Sequence, residues 1–245
     1  MTTPATDPAT DPATDPRGPS TVRRASGIRR RIAEHMVRSL ATSPHAATAV
    51  EVRYDAVEAA RRASAAPPSV LACTAWAVVR ALADFPHVNA SWEDGAIRVF
   101  EHVNLGVAVD LNHEGLVVPV VHGAHGLDVA GLHERIAGLT AKARAGGLRV
   151  ADMAGGTFTV SSLGRSGTLF TIPVINQPQA AILSMDTIAS RPVVVEDAGG
   201  PRIEPGRVAV LTLSFDHRVF DGAYAAAFLA RVRELLENPA EMPMP

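Results

Sequence analysis

The 245 residues carry a formal net charge of −2 and 47% hydrophobic side chains, enough apolar material for one sizeable domain or two small ones. The near-neutral charge gives no electrostatic basis for binding nucleic acid or an anionic membrane. The lone Cys73 excludes an intrachain disulfide framework. There is neither a signal-peptide pattern nor an apolar run of bilayer length, so a cytoplasmic protein is expected.

Residues 1–19 are predicted to form a disordered arm ahead of a single domain at residues 20–245. The tetrapeptide Ala-Thr-Asp-Pro occurs three times in residues 5–16, which contain no large apolar side chain. Such a segment has nothing to bury. It is either a linker to another unit or a dispensable tail.

A basic amphipathic helix is predicted next. Ile28, Ile32, Met36 and Leu40 recur every four residues, which indicates one buried face, and Ser26 is a candidate N-cap. We expect most of the surrounding arginines to be solvated or paired rather than to bind a polyanion. These are Arg23, Arg24, Arg29, Arg30, Arg31 and Arg38.

Strands and helices then intersperse without a strict βαβ rhythm. Apolar runs predict strands at residues 47–54, 104–110, 116–121, 157–161, 180–185 and 191–195, and helical spacing predicts helices at residues 55–64, 69–84 and after Asp128. No glycine fingerprint for phosphate binding is present, which argues against a Rossmann or P-loop domain. The pattern predicts an α/β fold in which helices cover a mixed β-sheet.

His217 is predicted to lie in a strand-to-helix turn. The apolar run 208–215 indicates a buried strand, and helical spacing begins after Asp221 and ends at residues 238–239. A turn between two regular elements can hold a titratable ring in a fixed direction. The structural alternative is that Asp221 only caps the last helix, that His217 is a hydrogen-bonded structural histidine and that Arg218 is a surface charge.

A second candidate element is the glycine-bounded segment 155–164, where a strand carrying Ser161 and Ser162 opens into a loop. These hydroxyls either satisfy turn backbone, a common role of serine, or point at a reacting group. A histidine with a hydroxyl donor and no candidate metal cluster indicates acyl transfer. Neutral His217 would take a proton from an incoming thiol or hydroxyl, and Ser161 would donate to the oxyanion. The Gly-x-Ser-x-Gly elbow of serine hydrolases is absent, so neither residue is assigned as a covalent nucleophile.

Together these segments resemble the catalytic domain of the dihydrolipoyl acyltransferase component of 2-oxo-acid dehydrogenase complexes, whose fold is shared with chloramphenicol acetyltransferase. The matching motifs occur in order over residues 20–239, and their order and spacing are far more specific than any one of them. They are residues 26–36, 44–45, 85–91, 104–110, 115–120, 155–164, 175–183 and 216–222.

The resemblance implies an α/β two-layer sandwich of the chloramphenicol acetyltransferase type, assembled as a homotrimer with its active site in a channel between subunits. Coenzyme A would enter from one end and a dihydrolipoyl arm from the other. By matching position, His217 is the general base and Ser161 the oxyanion donor from the adjacent subunit. Asp221 is the buried acid that holds the turn, through an arginine among residues 29–31.

The resemblance also places coenzyme A against one set of residues: Asp110, Ser161, Ser162, Asp186 and Ile188, with Ser69 and Leu71 as weaker candidates. It implies no metal. The lipoyl group would be supplied in trans by a lipoyl-domain or acyl-carrier protein, because no lipoyl or peripheral-subunit-binding domain precedes the catalytic region in this sequence.

Two departures from the family pattern bear on this expectation. Ser184 and Asp186 stand where glycines are usual, and a carboxylate there would disfavour an anionic ligand unless it points away. The last five residues lack the leucine-rich tail through which trimers join, so a free trimer is expected. Two alternatives stay open: acyl transfer to a carrier-bound or small-molecule acceptor in a specialised pathway, and a trimeric scaffold without catalysis.

Overall fold

The computed structural model describes residue 18, residues 20–164 and residues 166–245. The predicted arm at residues 1–19 lies outside the described residues, apart from Gly18. The helices are α1 (Gly27–Thr42), α2 (Asp55–Ala63), α3 (Val70–Asp84), α4 (Val129–Arg144) and α5 (Gly222–Glu237). The strands are β1 (His45–Arg53), β2 (Ala90–Glu93), β3 (Ala96–Val99), β4 (Leu105–Val107), β5 (Val109–Asp110), β6 (Leu116–Val117), β7 (Val120–Val121), β8 (Phe158–Ser162), β9 (Ala181–Met185), β10 (Ala189–Asp197) and β11 (Gly200–Asp216).

The main sheet is mixed, as the sequence predicts. Its strand order is β1-β11-β9-β8-β4-β7, and β10 pairs with the first half of the long strand β11. Strand β11 runs antiparallel to both β1 and β9, whereas β8 runs parallel to β9 and β4. The carboxyl end of β11 therefore lies at the opposite edge of the sheet from the carboxyl ends of β4, β8 and β9.

Helices cover one face of this sheet. Leu183 in β9 and Leu213 and Phe215 in β11 are buried in one continuous apolar cluster with Trp76 of α3 and Phe228 of α5. Their side chains share a face because the residues alternate along each strand. The two-layer prediction is confirmed, with the core between the sheet and α3 and α5.

The opposite face carries hydroxyl groups. The strand register sets Ser161, Ser184 and Thr212 side by side, so these side chains point to the same face. The irregular connection at residues 163–180 joins the two parallel strands β8 and β9. From this connection, Gln179 accepts a hydrogen bond from the Thr159 hydroxyl at 2.6 Å, and Ile175 is fully buried. The connection at residues 163–180 thus contacts this face through a polar side chain.

The hairpin of β2 and β3 is absent from the sequence prediction, although a signal for it was present. Asp94 and Gly95 join the two strands with φ angles of 48° and 84°. Two successive positive φ angles are the signature of a two-residue hairpin turn, and Asp-Gly is a favoured pair for it.

Helix α1 buries a different residue from the one expected. Leu40 is 59% exposed, whereas Ser39 is fully buried and its hydroxyl donates to the carbonyl of Ile175 at 2.6 Å. The predicted cap is confirmed, because the Ser26 hydroxyl accepts a hydrogen bond from the N–H of Arg29. Helix α1 therefore buries only a narrow stripe of its surface, and its most buried residue, Ser39, makes a hydrogen bond rather than an apolar contact.

Cys73 lies in the core, as expected for a small buried residue. It is fully buried in α3, and burial raises the pKa of its thiol to about 11. A thiol of this kind is a poor nucleophile. Among the described helices, none combines the length and apolarity needed to cross a membrane.

Candidate active site

His217 is the first residue after β11. Contacts hold it in place, but its side chain remains accessible. Its N–H donates to the carbonyl of Pro44 at 3.1 Å. Its ring lies 5.6 Å from the ring of Phe215, which in turn stacks on Phe220 at 4.9 Å. The imidazole itself is 49% exposed. Such a ring is held by its backbone and neighbours but stays accessible, unlike a histidine enclosed in a core.

Asp221 lies across the turn from His217, at the N-cap position of α5. Its Oδ1 is 3.5 Å from Nδ1 of His217, and its carboxylate makes no capping hydrogen bond to the helix. From the sequence, Asp221 is expected to be buried. In the single chain this expectation is wrong, because the Asp221 side chain is 85% exposed. No ion pair joins it to an arginine of residues 29–31 within the described chain.

The buried acid of the turn is Asp216. Its carboxylate accepts hydrogen bonds from the Arg218 guanidinium at 2.6 Å and from the Ser43 hydroxyl at 2.6 Å. Burial alone raises the pKa of Asp216, but these hydrogen bonds and the N–H of Arg218 outweigh it, so its pKa lies below the usual range. Arg218 also lies over the ring of Trp92, 5.2 Å from its centre.

Sequence reasoning missed this pair: it gave Asp216 no role, and it named Arg218 only in the structural alternative, as a surface charge. In the structure the Arg218 side chain is only 29% exposed, and its own pKa is raised by the hydrogen bonds to Asp216. The sequence did contain a signal for this pair. Asp216 ends an apolar strand, and a carboxylate buried there needs a hydrogen-bonding or charged partner.

Further polar contacts bind this turn to the connection at residues 163–180. Gln177 donates to the Ser43 hydroxyl at 2.7 Å. His45 Nδ1 lies 2.8 Å from the carbonyl of Ser43, and its Nε2 accepts from the N–H of Ile175 at 3.1 Å. These partners assign His45 as a neutral imidazole with its proton on Nδ1.

The candidate coenzyme residues gather at the opposite edge of the sheet. Ser161 and Ser162 end β8, beside Ser184 and Met185 of β9. A hydrogen bond of 3.2 Å from Thr74 to the sulfur of Met185 brings the start of α3 to the same place. The predicted residues that meet at this edge are Ser69, Leu71, Asp110, Ser161, Ser162 and Ile188.

Some of these side chains have structural roles in the chain itself. The Ser69 hydroxyl caps α3 by accepting from the N–H of Ala72, and Leu71 and Ile188 pack partly against the core. The Asp110 carboxylate accepts from the N–H of His113. Ser161 and Ser162 are only partly buried.

Asp186 does not face a channel in this chain, which corrects the expectation for that residue. It is fully buried, and its carboxylate accepts hydrogen bonds from the hydroxyls of Thr168, Thr171 and Ser184. Three hydroxyl donors satisfy a carboxylate that forms no ion pair among the described residues. This carboxylate is therefore enclosed within the chain and is not exposed to a ligand.

Within one chain, Ser161 and His217 lie far apart. Ser161 is level with Ser184, which is level with Thr212, and Thr212 lies five residues before His217. At about 3.3 Å per residue and 4.8 Å between strands, the two residues are roughly 15–20 Å apart. Their side chains cannot act on one bond unless the site includes a second copy of the chain.

Among the residues that the structure describes, no three imidazole, thiol or carboxylate groups cluster as metal ligands. The chemistry available at the turn is therefore that of an imidazole with an adjacent carboxylate.

Comparison with known proteins identifies the family. The sequence model described as the 2-oxoacid dehydrogenases acyltransferase (catalytic domain) matches residues 17–244. The chain belongs to this acyltransferase family. The resemblance of the sequence motifs to dihydrolipoyl acyltransferase catalytic domains is thereby confirmed.

The chain is also similar to individual members of the family. It is 36% identical over 226 residues to the lipoamide acyltransferase component of the branched-chain alpha-keto acid dehydrogenase complex of Bacillus subtilis (strain 168), covering 87% of this chain and 51% of that protein. It is 42% identical over 167 residues to the dihydrolipoyllysine-residue acetyltransferase component of the pyruvate dehydrogenase complex of Mycobacterium bovis, covering 67% of this chain and 30% of that protein. The chain thus spans about half or less of the length of these relatives.

Solved structures of the family confirm the fold. One is a crystal structure on the catalytic roles of a serine, a histidine and an asparagine in Azotobacter vinelandii dihydrolipoamide acetyltransferase. It has a TM-score of 0.86 and 30% identity, and covers 97% of this chain and 99% of that one. Chloramphenicol acetyltransferase, at 15% identity, covers 83% of this chain and 94% of that one with a TM-score of 0.56, so it shares the fold.

Proposed function

We propose that this acyltransferase-family chain moves an acyl group between coenzyme A and a thiol acceptor such as a dihydrolipoyl group carried on another protein. The observation that carries the proposal is the accessible His217 ring, anchored by its backbone and paired at 3.5 Å with the exposed carboxylate of Asp221. An imidazole in this setting, about half exposed and beside a carboxylate, suits a general base.

His217 would act through Nε2. With the Nδ1 proton directed at Asp221, the other ring nitrogen keeps its lone pair and takes the proton of the attacking thiol. The sulfur then bonds to the thioester carbonyl carbon, and the Ser161 hydroxyl of a neighbouring copy donates to the oxygen that gains charge. When the bond to the leaving sulfur breaks, the imidazolium of His217 returns its proton to that thiolate. Protons and bonds balance, and no oxidant is needed.

The assembly in this proposal is a homotrimer whose sites lie between copies. Its support is the separation of Ser161 and His217 within one chain, by roughly 15–20 Å on the register of β8, β9 and β11. A second copy must present its serine edge to the histidine edge of the first. Cyclic assembly repeats this contact identically at every site.

Coenzyme A would lie along the edge where β4, β8 and β9 end. The side chains of Ser161 and Ser162 are partly accessible there, and the Asp186 carboxylate is buried and accepts hydrogen bonds from hydroxyls. The presence of Asp186 where the family usually has glycine therefore does not oppose an anionic ligand. This removes one reason for preferring a specialised acceptor over a lipoyl group.

The alternative, a trimeric scaffold without catalysis, does not require an accessible imidazole. It is disfavoured because Asp216, Arg218 and Ser43 already tie the turn together, whereas about half of the His217 imidazole stays exposed.

Mixing the protein with acetyl-coenzyme A and dihydrolipoamide tests the proposal directly. We expect acyl transfer that His217→Ala abolishes while the native mass of the assembly is unchanged. Transfer that survives this substitution would overturn the assigned base. Failure with every acyl-coenzyme A, together with transfer from a carrier-bound acyl group, would replace the proposed substrate pair with the specialised one.

A further inference from the structure

The backbone on both sides of His217 is closed into a tight turn. The N–H of Val219 donates to the carbonyl of Asp216 at 2.9 Å, which makes a four-residue turn with His217 at its second position. The N–H of Arg218 donates to Oδ1 of the Asp216 side chain at 3.0 Å, so the carboxylate closes a second, smaller ring around the same residue. The backbone geometry at His217 therefore depends on where the Asp216 carboxylate lies.

Arg218 binds that carboxylate from the other side of His217. Its Nε donates to Oδ1 of Asp216 at 3.0 Å and its Nη2 donates to Oδ2 at 2.6 Å, the two-point contact that a planar guanidinium makes with a carboxylate. The guanidinium also lies over the Trp92 ring, with Cζ 5.2 Å from the ring centre. Trp92 belongs to the hairpin of β2 and β3, so this hairpin supports the turn through the arginine.

A second set of donors fixes the same carboxylate. The Ser43 hydroxyl donates to Oδ2 of Asp216 at 2.6 Å, and the Gln177 amide donates to the Ser43 hydroxyl at 2.7 Å. A hydroxyl that accepts from an amide keeps its one proton for the carboxylate. The Asp216 side chain is only 3% exposed, so water has little access to replace these donors.

We propose that Arg218 is a positioning residue, which holds the His217 imidazole in the direction that a general base needs by fixing the carboxylate of Asp216. This inference rests on the proposed acyl transfer and adds to it a residue that need not touch substrate. The His217 ring reaches Asp221 across the turn at 3.5 Å, and a small rotation of the backbone would lengthen this contact. A misplacement of about 1 Å in a catalytic group costs roughly a hundredfold in rate.

The test is Arg218→Lys, which keeps the positive charge and removes the two-point contact, because an ammonium presents a single nitrogen. We expect kcat for transfer from acetyl-coenzyme A to dihydrolipoamide to fall roughly ten- to a hundredfold. The KM for either substrate should change by less than about twofold, since an interaction that acts on the base alone does not alter binding. Rates are expressed per assembly of unchanged native mass.

Arg231→Lys is the matched control. The Arg231 side chain is 32% exposed, against 29% for Arg218, and it forms ion pairs with Asp84 at 3.0 Å and Glu234 at 2.9 Å. It lies about 14 Å along α5 from the start of the helix. This substitution should leave kcat and both KM values unchanged.

Three results would overturn the proposal: an unchanged kcat in Arg218→Lys, an equal loss in both variants, or a raised KM with kcat unchanged, which would assign Arg218 to substrate binding. If Arg218→Lys does not assemble, Ser43→Ala takes its place, because it removes a donor to the same carboxylate and leaves the ion pair intact. Ser43→Ala should lower kcat with both KM values unchanged. In that case, a kcat equal to that of the unmodified protein would overturn the proposal.

A failure of the proposed function is distinguishable, because the state of the ring can be observed without turnover. If the unmodified protein transfers no acyl group, NMR spectra of isotope-labelled histidine decide the question, with the His217 signals assigned by their loss in His217→Ala. A ring held against Asp221 gives the single tautomer protonated on Nδ1. We expect Arg218→Lys to move the His217 nitrogen signals toward the average of the two tautomers and Arg231→Lys to leave them in place. Identical His217 signals in both variants and the unmodified protein would overturn the positioning role.

Discussion

The Nδ1 atom of His217 lies 3.5 Å from Oδ1 of Asp221, across the turn that joins β11 to α5. Asp221 occupies the N-cap position, yet its carboxylate caps nothing, so it is available to accept a hydrogen bond from Nδ1–H of His217. A carboxylate in that place favours the tautomer with a free Nε2, which is the form that a general base needs.

Asp221→Asn should therefore slow acyl transfer about tenfold, with little change in KM. The amide can turn its NH2 group toward the ring and favour the opposite tautomer. The effect is modest because the carboxylate is 85% exposed and water can partly replace it. Steady-state kinetics with acetyl-coenzyme A and dihydrolipoamide measure it.

A purely structural Asp221 would give a different result. If this residue mattered only as a helix cap, Asp221→Ser would keep full activity and Asp221→Ala would lower the free energy of unfolding by about 1 kcal/mol. We expect instead that both variants lose activity and that the free energy of unfolding changes by less than about 0.5 kcal/mol.

Asp216→Asn should destabilise the fold rather than change the chemistry directly. It removes the charge that Arg218 and Ser43 bind at 2.6 Å. We expect the free energy of unfolding at pH 7 to fall by about 2–3 kcal/mol, less than for a fully enclosed pair because the Arg218 side chain is 29% exposed. Urea unfolding followed by circular dichroism checks this value.

The pH dependence of stability follows from the lowered pKa of Asp216. The unfolded chain takes up this proton near pH ~3.9, and the folded chain only at lower pH. The stabilisation by the ionised carboxylate is thus complete above that pH and is lost as the pH falls through the folded value. The difference between the protein and Asp216→Asn should shrink below about pH 4, and a constant difference down to pH 3 would contradict the assignment.

The sequence predicted the local frame of this turn and missed its long-range pairing. A strand before His217, a helix after Asp221 and the buried Cys73 all follow from the spacing of apolar residues, and the structure has them. Which of the two aspartates is buried depends on Ser43, which lies 173 residues earlier in the chain. No local pattern specifies such a contact.

The same limit applies to Ser161 and His217, the two residues of the proposed site. Ser161 and His217 were both identified from short motifs, but their separation depends on β11 running antiparallel to β9 while β8 runs parallel to it. Strand direction and register come from non-local pairing, which the periodicity of one strand does not encode. Only the resemblance to a family suggested that the serine belongs to another copy.

Gly106 is required where β4 approaches β8. A Cβ at this position would lie 2.7 Å from Thr159 Oγ1 and 2.9 Å from Val118 Cγ1. Gly106→Ala should lower the free energy of unfolding by about 1–3 kcal/mol, because neighbours in a packed sheet must move. Gly138→Ala is the matched control: a Cβ there meets no atom within 4 Å, and the substitution should stabilise α4 by about 0.5–1 kcal/mol. Equal effects of the two substitutions in thermal unfolding would contradict the packing.

Mixed assemblies can show whether Ser161 and His217 of one site come from different copies. His217→Ala subunits retain the serine and Ser161→Ala subunits retain the histidine, so either variant alone lacks one group at every site. In a trimer assembled at random from equal amounts of both, about a quarter of all sites combine an intact histidine with an intact serine across an interface. Co-expressed variants with different tags should therefore recover about a quarter of the activity of the unmodified protein.

The pair His217→Ala with Asp221→Ala is the control, because these residues lie 3.5 Å apart in the same chain and mixing cannot restore them together. Recovery by the first pair and not by the second is the expected result. An inactive mixture of the first pair, with mixed trimers demonstrated by both tags, would mean that the catalytic groups do not meet across copies.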